Sequence, residues 1–208
     1  MTVMKEEAKT IWKRMGEVDY RIIYLIAMVL VAVPLWSPLG IPMKVGAPVK
    51  DYAKTIDALE PGSVVVCYFY GYATMLPDVE PVFMVTWKML LERDCKILIM
   101  LSHVDSPSII EMEFDKIGPE TYGKTYGEDY MFFPYITYTE ATLMAFTEDM
   151  RSIFKTDSYG TSLDDFDKLP IMENVHSAWD VDLFITSSVE LMVRRWVIPY
   201  GTNMICWG

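Results

Sequence analysis

His103 and Asp105 are the pair in this chain that most resembles working chemistry, because a carboxylate beside an imidazole can orient the ring for proton transfer. No nucleophile accompanies them: G-x-S-x-G is absent, and no cysteine sits in a reactive context. The plainer alternative is a helix-capping Asp105 and a His103 that hydrogen-bonds locally. Thr186, Ser187 and Ser188 are expected to open a helix, where free N–H groups and the helix dipole favour an anion. Ordinary N-capping accounts for the same three residues. Asp157, Tyr159, Gly160 and Thr161 combine turn chemistry with hydrogen-bond donors, on a loop too long for a simple connection. Either a ligand loop or a packed Ω-loop fits them.

The remaining candidates are weaker. Asp180-Val181-Asp182 has the look of a D-x-D metal motif, but it falls at the amino end of a strand, the wrong pole for a site in a parallel sheet. Asp164, Asp165 and Asp167 offer oxygen ligands without the glycine-centred spacing of a cation loop, so a solvated acidic loop is the reading. His103 and His176 are the two histidines, and no zinc spacing involves them. Neither G-x-G-x-x-G after the first strand nor a P-loop is present, so no cofactor and no metal is expected.

The elements that must carry these residues alternate. SVVVCYF (63–69) and KILIML (96–101) are apolar on both faces, as strands at the centre of a parallel sheet are. Further strands are expected at 130–136, 181–186 and 202–206, with helices at 77–93, 107–117, 140–155 and from Ser187 to about Trp196. Ser108-x-x-Glu111 and Ser187-x-x-Glu190 read as capping boxes, and Thr137 or Thr139 as the cap of the third helix. This order predicts an α/β domain over 44–208, with a Rossmann-like parallel sheet of about five strands and helices on both faces. Ligands of such sheets bind at the carboxyl ends of the strands. Tyr70, Gly71 and Tyr72, then Ser102, His103 and Asp105, then Tyr135, Thr137 and Tyr138, and finally Thr186, Ser187 and Ser188 should line that rim. The chain stops two residues after the fifth strand, and we expect the domain to be a truncated piece of a longer sheet.

Ahead of the domain lies a charge-free run, residues 22–43, between Arg21 and Lys44. About twenty apolar residues in a helix cover the roughly 30 Å hydrocarbon core of a bilayer, so a transmembrane helix with a proline-rich exit is expected here. Ile22 through Val33 would face lipid, and Pro34, Pro38 and Pro42 would break or end the helix near Trp36. Twenty-one residues precede the run and no Ala-x-Ala-like site follows it, which argues against a cleaved signal peptide. Five basic residues before the run against three close behind it favour a cytoplasmic N-terminus and an extracytoplasmic domain. Residues 1–21 form an amphipathic segment, with Ala8, Ile11, Trp12, Met15 and Val18 at helical spacing.

From Val45 onward, twelve basic residues stand against twenty-five acidic ones, a surface that repels phosphate backbones and excludes nucleic acid as a partner. Cys67, Cys95 and Cys206 form no C-x-x-C pair and are expected to be buried free thiols.

Several stretches resemble one known family: YRIIYLIAMVLVAVPLWSPLGIPMKV (20–45), LEPGSVVV (59–66), YGEDY (126–130), TDSYGT (156–161) with Pro170-Ile171-Met172, and residues 194–199. They are similar to an uncharacterised family of prokaryotic membrane-anchored proteins with one N-terminal span before a Rossmann-like domain. The resemblance covers nearly the whole chain and implies the anchor and the fold, but lends no activity. It also implies continuation past Gly208 and acidic residues just after the first strand, where this chain has Tyr70-Gly71-Tyr72.

Two functions are therefore expected to compete. The first is a membrane-anchored binding, scaffold or accessory subunit, with other membrane-protein subunits or a second copy as partner and no catalysis of its own. The second is an extracytoplasmic hydrolase or transferase using His103 and Asp105 at the strand ends.

Overall fold

The computed structural model describes residues 19–37, 44–69, 76–137, 139–186 and 204–206. The chain divides into two units, Met1–Val45 and Gly46–Gly208.

In the first unit, helix α1 (Tyr20–Trp36) begins at Asp19, whose side chain accepts the Arg21 N–H. It runs through Pro34, which lacks the N–H for its own helical bond, and ends two residues later. Its seventeen residues rise about 26 Å, short of a hydrocarbon core of roughly 30 Å. Among the described residues no helix is long and apolar enough to cross a membrane. The spanning helix expected over 22–43 is thus not met there, and its proline-rich exit, 38–43, lies outside the described residues together with the amphipathic segment 1–18. The large apolar side chains of α1 are nonetheless exposed, Tyr24 at 70 % and Leu30 at 68 %.

The second unit is built on a parallel five-stranded sheet. After α2 (Ala47–Asp57) come β1 (Val64–Phe69), α3 (Leu76–Glu92), β2 (Lys96–Leu101), α4 (Ser106–Ile117), β3 (Tyr130–Phe132), α5 (Glu140–Glu148), the short α6 (Met150–Ile153), β4 (Leu183–Thr186) and β5 (Met204–Cys206). The strand order is β3-β2-β1-β4-β5, every neighbouring pair parallel. This is the doubly wound, Rossmann-like order, and it reverses direction between β1 and β4. Cys67 at the centre pairs with Ile99 on one side and Ile185 on the other.

Side-chain alternation along the strands divides the core into two layers. Val65, Cys67, Phe69, Ile97 and Ile99 pack beneath α2, α3 and α4, where Trp87 is fully buried among Phe69, Phe83 and Phe114. Val66, Tyr68, Leu98 and Met100 face the opposite layer, in which Phe133 stacks on Phe154 and Phe146 of α5 meets both edge-to-face. Truncating Trp87 to alanine would cost about 3–5 kcal/mol. Both thiols described here are free and buried; burial pushes Cys67 up to about 12 and Cys95 to about 11, which keeps them protonated and inert.

Boundaries shift from expectation for local reasons. α4 starts at Ser106, with Asp105 in the N-cap position, so Ser108 lies inside the helix and is not its cap. Thr139 caps α5 by accepting the Thr142 N–H, and the helix expected over 140–155 breaks at Asp149, which caps α6 in turn. The strand expected over 130–136 ends at Phe132; just beyond it the Phe133 carbonyl accepts the Ser158 hydroxyl. The helix expected from Ser187 falls outside the described residues.

Candidate functional site

The carboxyl ends of β1 and β4 flank the reversal in strand order, and they lead into residues 70–75 and 187–203. Tyr70, Gly71, Tyr72, Ser187 and Ser188, along with Tyr138, therefore lie outside the described residues. Thr186, at the end of β4, is fully buried. Ser102 closes the top of β2 onto β1, its hydroxyl donating to the Phe69 carbonyl at 2.8 Å. Tyr135 and Thr137 hydrogen-bond each other at 3.1 Å.

His103 and Asp105 do meet, with Nδ1 3.5 Å from a carboxylate oxygen. The arrangement is a local turn. The Asp105 N–H donates to His103 Nδ1 at 3.3 Å, and the His103 N–H donates to the Ser106 hydroxyl at 3.2 Å. A ring nitrogen that accepts a proton donor cannot itself donate to the carboxylate, so in the neutral ring the orienting bond of an acid–base pair is missing. Asp105 takes the N-cap position of α4 without a side-chain capping bond, while His103 hydrogen-bonds locally.

The acidic motifs are structural. Asp182 accepts the Val64 N–H at 2.8 Å and pins the start of β1. Asp180 is partly buried, which opposes its charge, but the His176 and Ser177 N–H groups that it accepts prevail and hold it below the usual carboxylate range. Asp164 pairs with Arg151 and Asp165 with Lys168. Among the described residues no group of three or more His, Cys, Asp or Glu side chains is placed to hold a metal.

The loop 156–162 is where the structure concentrates its interactions. Thr156 and Ser162 bridge to close it. Inside, Asp157 is buried and accepts the Tyr159 N–H at 2.9 Å and the Thr161 N–H at 2.7 Å on one carboxyl oxygen. Its other oxygen accepts the Tyr126 hydroxyl at 2.9 Å. Asp157 is therefore a packing anchor, and the loop is of the packed Ω kind. It straps the outer edge of β3, where the Ser158 N–H donates to the Phe132 carbonyl and the Ser158 hydroxyl to the Phe133 carbonyl; the 126–130 turn adds the Gly127 N–H to the Tyr130 carbonyl. The Tyr126 oxygen, besides donating to Asp157, accepts the Phe132 N–H at 3.5 Å.

Holding that strap in place creates a pocket of about 440 Å³ lined by Glu111, Phe114, Asp115, Tyr126, Tyr130, Phe132 and Tyr159. Phe114 and Phe132 are buried and form its base, ring centroids 5.0 Å apart and edge-to-face. Tyr126 stands edge-on to Tyr130, Phe132 and Tyr159. Glu111 and Asp115 sit four residues apart on α4, hence on one face of it. Tyr159 is 56 % exposed, yet desolvation and a hydrogen bond to Glu111 push its hydroxyl up to about 12. Burial likewise raises Tyr130, reinforced by the charges of Glu120, Asp115 and Asp129, and raises Tyr126 further, reinforced by Asp157. The phenols therefore stay neutral in a negative local field.

The neighbouring lysines are committed elsewhere. Lys116 bonds Glu80 and Glu113, each at 2.7 Å, and Lys124 pairs with Asp94 and Asp129. Among the described residues neither Glu111 nor Asp115 has a salt-bridge partner. Of this site the sequence singled out Tyr159 and its loop. Its remaining signals were the Glu111/Asp115 spacing and Y-G-E-D-Y at 126–130.

No family model matches the chain, and no curated protein matches it. Among solved structures it is similar to a universal stress protein crystallised in complex with cAMP, at 12 % identity and a TM-score of 0.33, over 71 % of this chain and 98 % of that one. A likeness that slight bears on neither ligand nor function.

Proposed function

We propose that the chain is a membrane-anchored α/β binding or accessory module, tethered through its N-terminal apolar segment and working without catalysis of its own. The observation that carries this reading is α1: a helix free of charge from Ile22 to Trp36 whose large apolar side chains are exposed along its length, with Trp36 at 94 %. Apolar surface of that extent in one patch marks a lipid or protein contact. A helix is also the form in which a chain enters hydrocarbon with its backbone groups satisfied. The apolar run continues beyond α1 to Met43, and the flanking charges favour the N-terminus on the cytoplasmic side and the α/β domain outside. Other membrane-protein subunits or a second copy are the partners this reading expects.

The enzyme alternative draws no support from the His103 turn, where the imidazole nitrogen facing Asp105 is occupied as an acceptor. The test of the anchor is extraction. The full chain expressed in a bacterial host should stay with the membrane pellet through high salt and alkaline carbonate and be released by detergent. Quantitative release by carbonate alone would refute the anchor, and a solitary monomer turning over an ester or phosphoester substrate with loss on His103→Ala would establish the enzyme instead.

A further inference from the structure

We propose that the pocket beside β3 binds a small organic cation, with an alkylammonium group as the part recognised. Three observations converge on that chemistry. The pocket presents aromatic rings from four segments, Phe114, Tyr126, Tyr130 with Phe132, and Tyr159, to one space. The face of such a ring attracts a desolvated cation through its quadrupole. Two carboxylates on one face of α4, Glu111 and Asp115, border that space without a salt-bridge partner among the described residues. The phenols of Tyr130 and Tyr159, raised first by burial and then by the carboxylates near them, stay neutral at the same place and carry no charge of their own against a cation.

The alternatives fit less well. An anion would meet Glu111 and Asp115 with no basic side chain lining the pocket. A hard metal ion seeks six or more oxygen ligands, whereas the lining is mostly ring. An uncharged apolar ligand would use the rings and leave the charges of Glu111 and Asp115 uncompensated beside it. An alkylammonium satisfies both halves, its methyl or methylene groups against the rings and its charge toward Glu111 and Asp115. A volume of about 440 Å³ admits more than a bare ammonium, so a choline-like group with a short extension fits.

All the residues involved lie between positions 111 and 159, so the inference stands apart from the membrane reading: a chain that washes off membranes can still bind the cation, and the reverse. The same ammonium chemistry occurs free in solution and on a lipid headgroup, and two probes separate the sources. Full-length protein in a maltoside detergent is titrated with choline, with glycerophosphocholine, and with the neutral isostere 3,3-dimethylbutan-1-ol, following tyrosine fluorescence and calorimetric heat.

Choline is expected to bind saturably with a Kd of about 0.1–1 mM, and the alcohol at least about tenfold more weakly. Glycerophosphocholine binding as tightly as choline supports the proposal with a headgroup as source; choline alone supports it with a free cation. The doubly exchanged Glu111→Gln, Asp115→Asn protein should lose about tenfold in choline affinity at an unchanged melting temperature, since both side chains are exposed. Tyr159→Ala should lose a comparable factor. Equal affinity for choline and the alcohol, an undiminished affinity in the double variant, or no saturable binding up to about 20 mM overturns the proposal.

Discussion

The turn at His103 and the loop at Tyr159 both draw attention by their composition, and the structure builds them differently. His103 and Asp105 have the residue types of catalysis, and two local bonds shape their turn: the Asp105 N–H donates to Nδ1, and the His103 N–H to the Ser106 hydroxyl. The loop 156–162, whose length and composition suit either a ligand loop or a packed Ω-loop, buries a carboxylate, straps the sheet edge and brings a half-exposed tyrosine over an aromatic base. What separates the two is the span of chain each draws together. The two bonds described at the His103 turn join residues within three positions of one another. The Tyr159 site joins α4, the Y-G-E-D-Y turn, β3 and the loop, and only a fold can assemble such a set.

The sharpest way to break that contrast is Asp157→Ala. It strips the acceptor from two backbone N–H groups and the Tyr126 hydroxyl at once, and should cost about 3 kcal/mol in chemical denaturation. Limited proteolysis should then cut within 156–162, while Asp157→Asn, which keeps one carbonyl oxygen, should lose less. Unchanged stability would mean that the loop does not depend on its buried carboxyl. Tyr126→Phe comes next at about 1 kcal/mol, since it removes the hydroxyl that joins Asp157 to the Phe132 N–H and leaves the ring in place. His103→Ala is the smallest, within about 0.5 kcal/mol in the same denaturation, as expected of a half-exposed residue in a local turn. A loss of more than about 2 kcal/mol at His103 would erase the distinction between the two regions.

Residue patterns disclosed the sheet well for a physical reason. SVVVCYF and KILIML are apolar on both faces because both faces are covered, and they lie where expected as β1 and β2, paired in parallel. Tyr159 was visible as part of a loop too long to be idle, but its partners were not. Glu111 and Asp115 look like any exposed acids on a helix until Tyr126, Tyr130 and Phe132, placed by a strand of three residues, face them across a pocket. Strand β3 is shorter than its apolar run suggests, since the groups at its end are taken by the distant Ser158. The helix α1 was legible as apolar, and so was its end near Trp36, since Pro34 lacks the N–H for its own helical bond and the helix stops two residues later.

The strap over β3 has a consequence for how copies of this chain meet. A bare edge strand is a template, and another molecule can add a strand to it and go on adding. Here the outward Tyr130 and Phe132 carbonyls and the Phe132 N–H are already engaged by Gly127, Ser158 and Tyr126. The sheet is finished on that side. Any assembly of this domain through its β3 flank must therefore be made by side chains, and cannot propagate as a continuous sheet unless the loop first lets go.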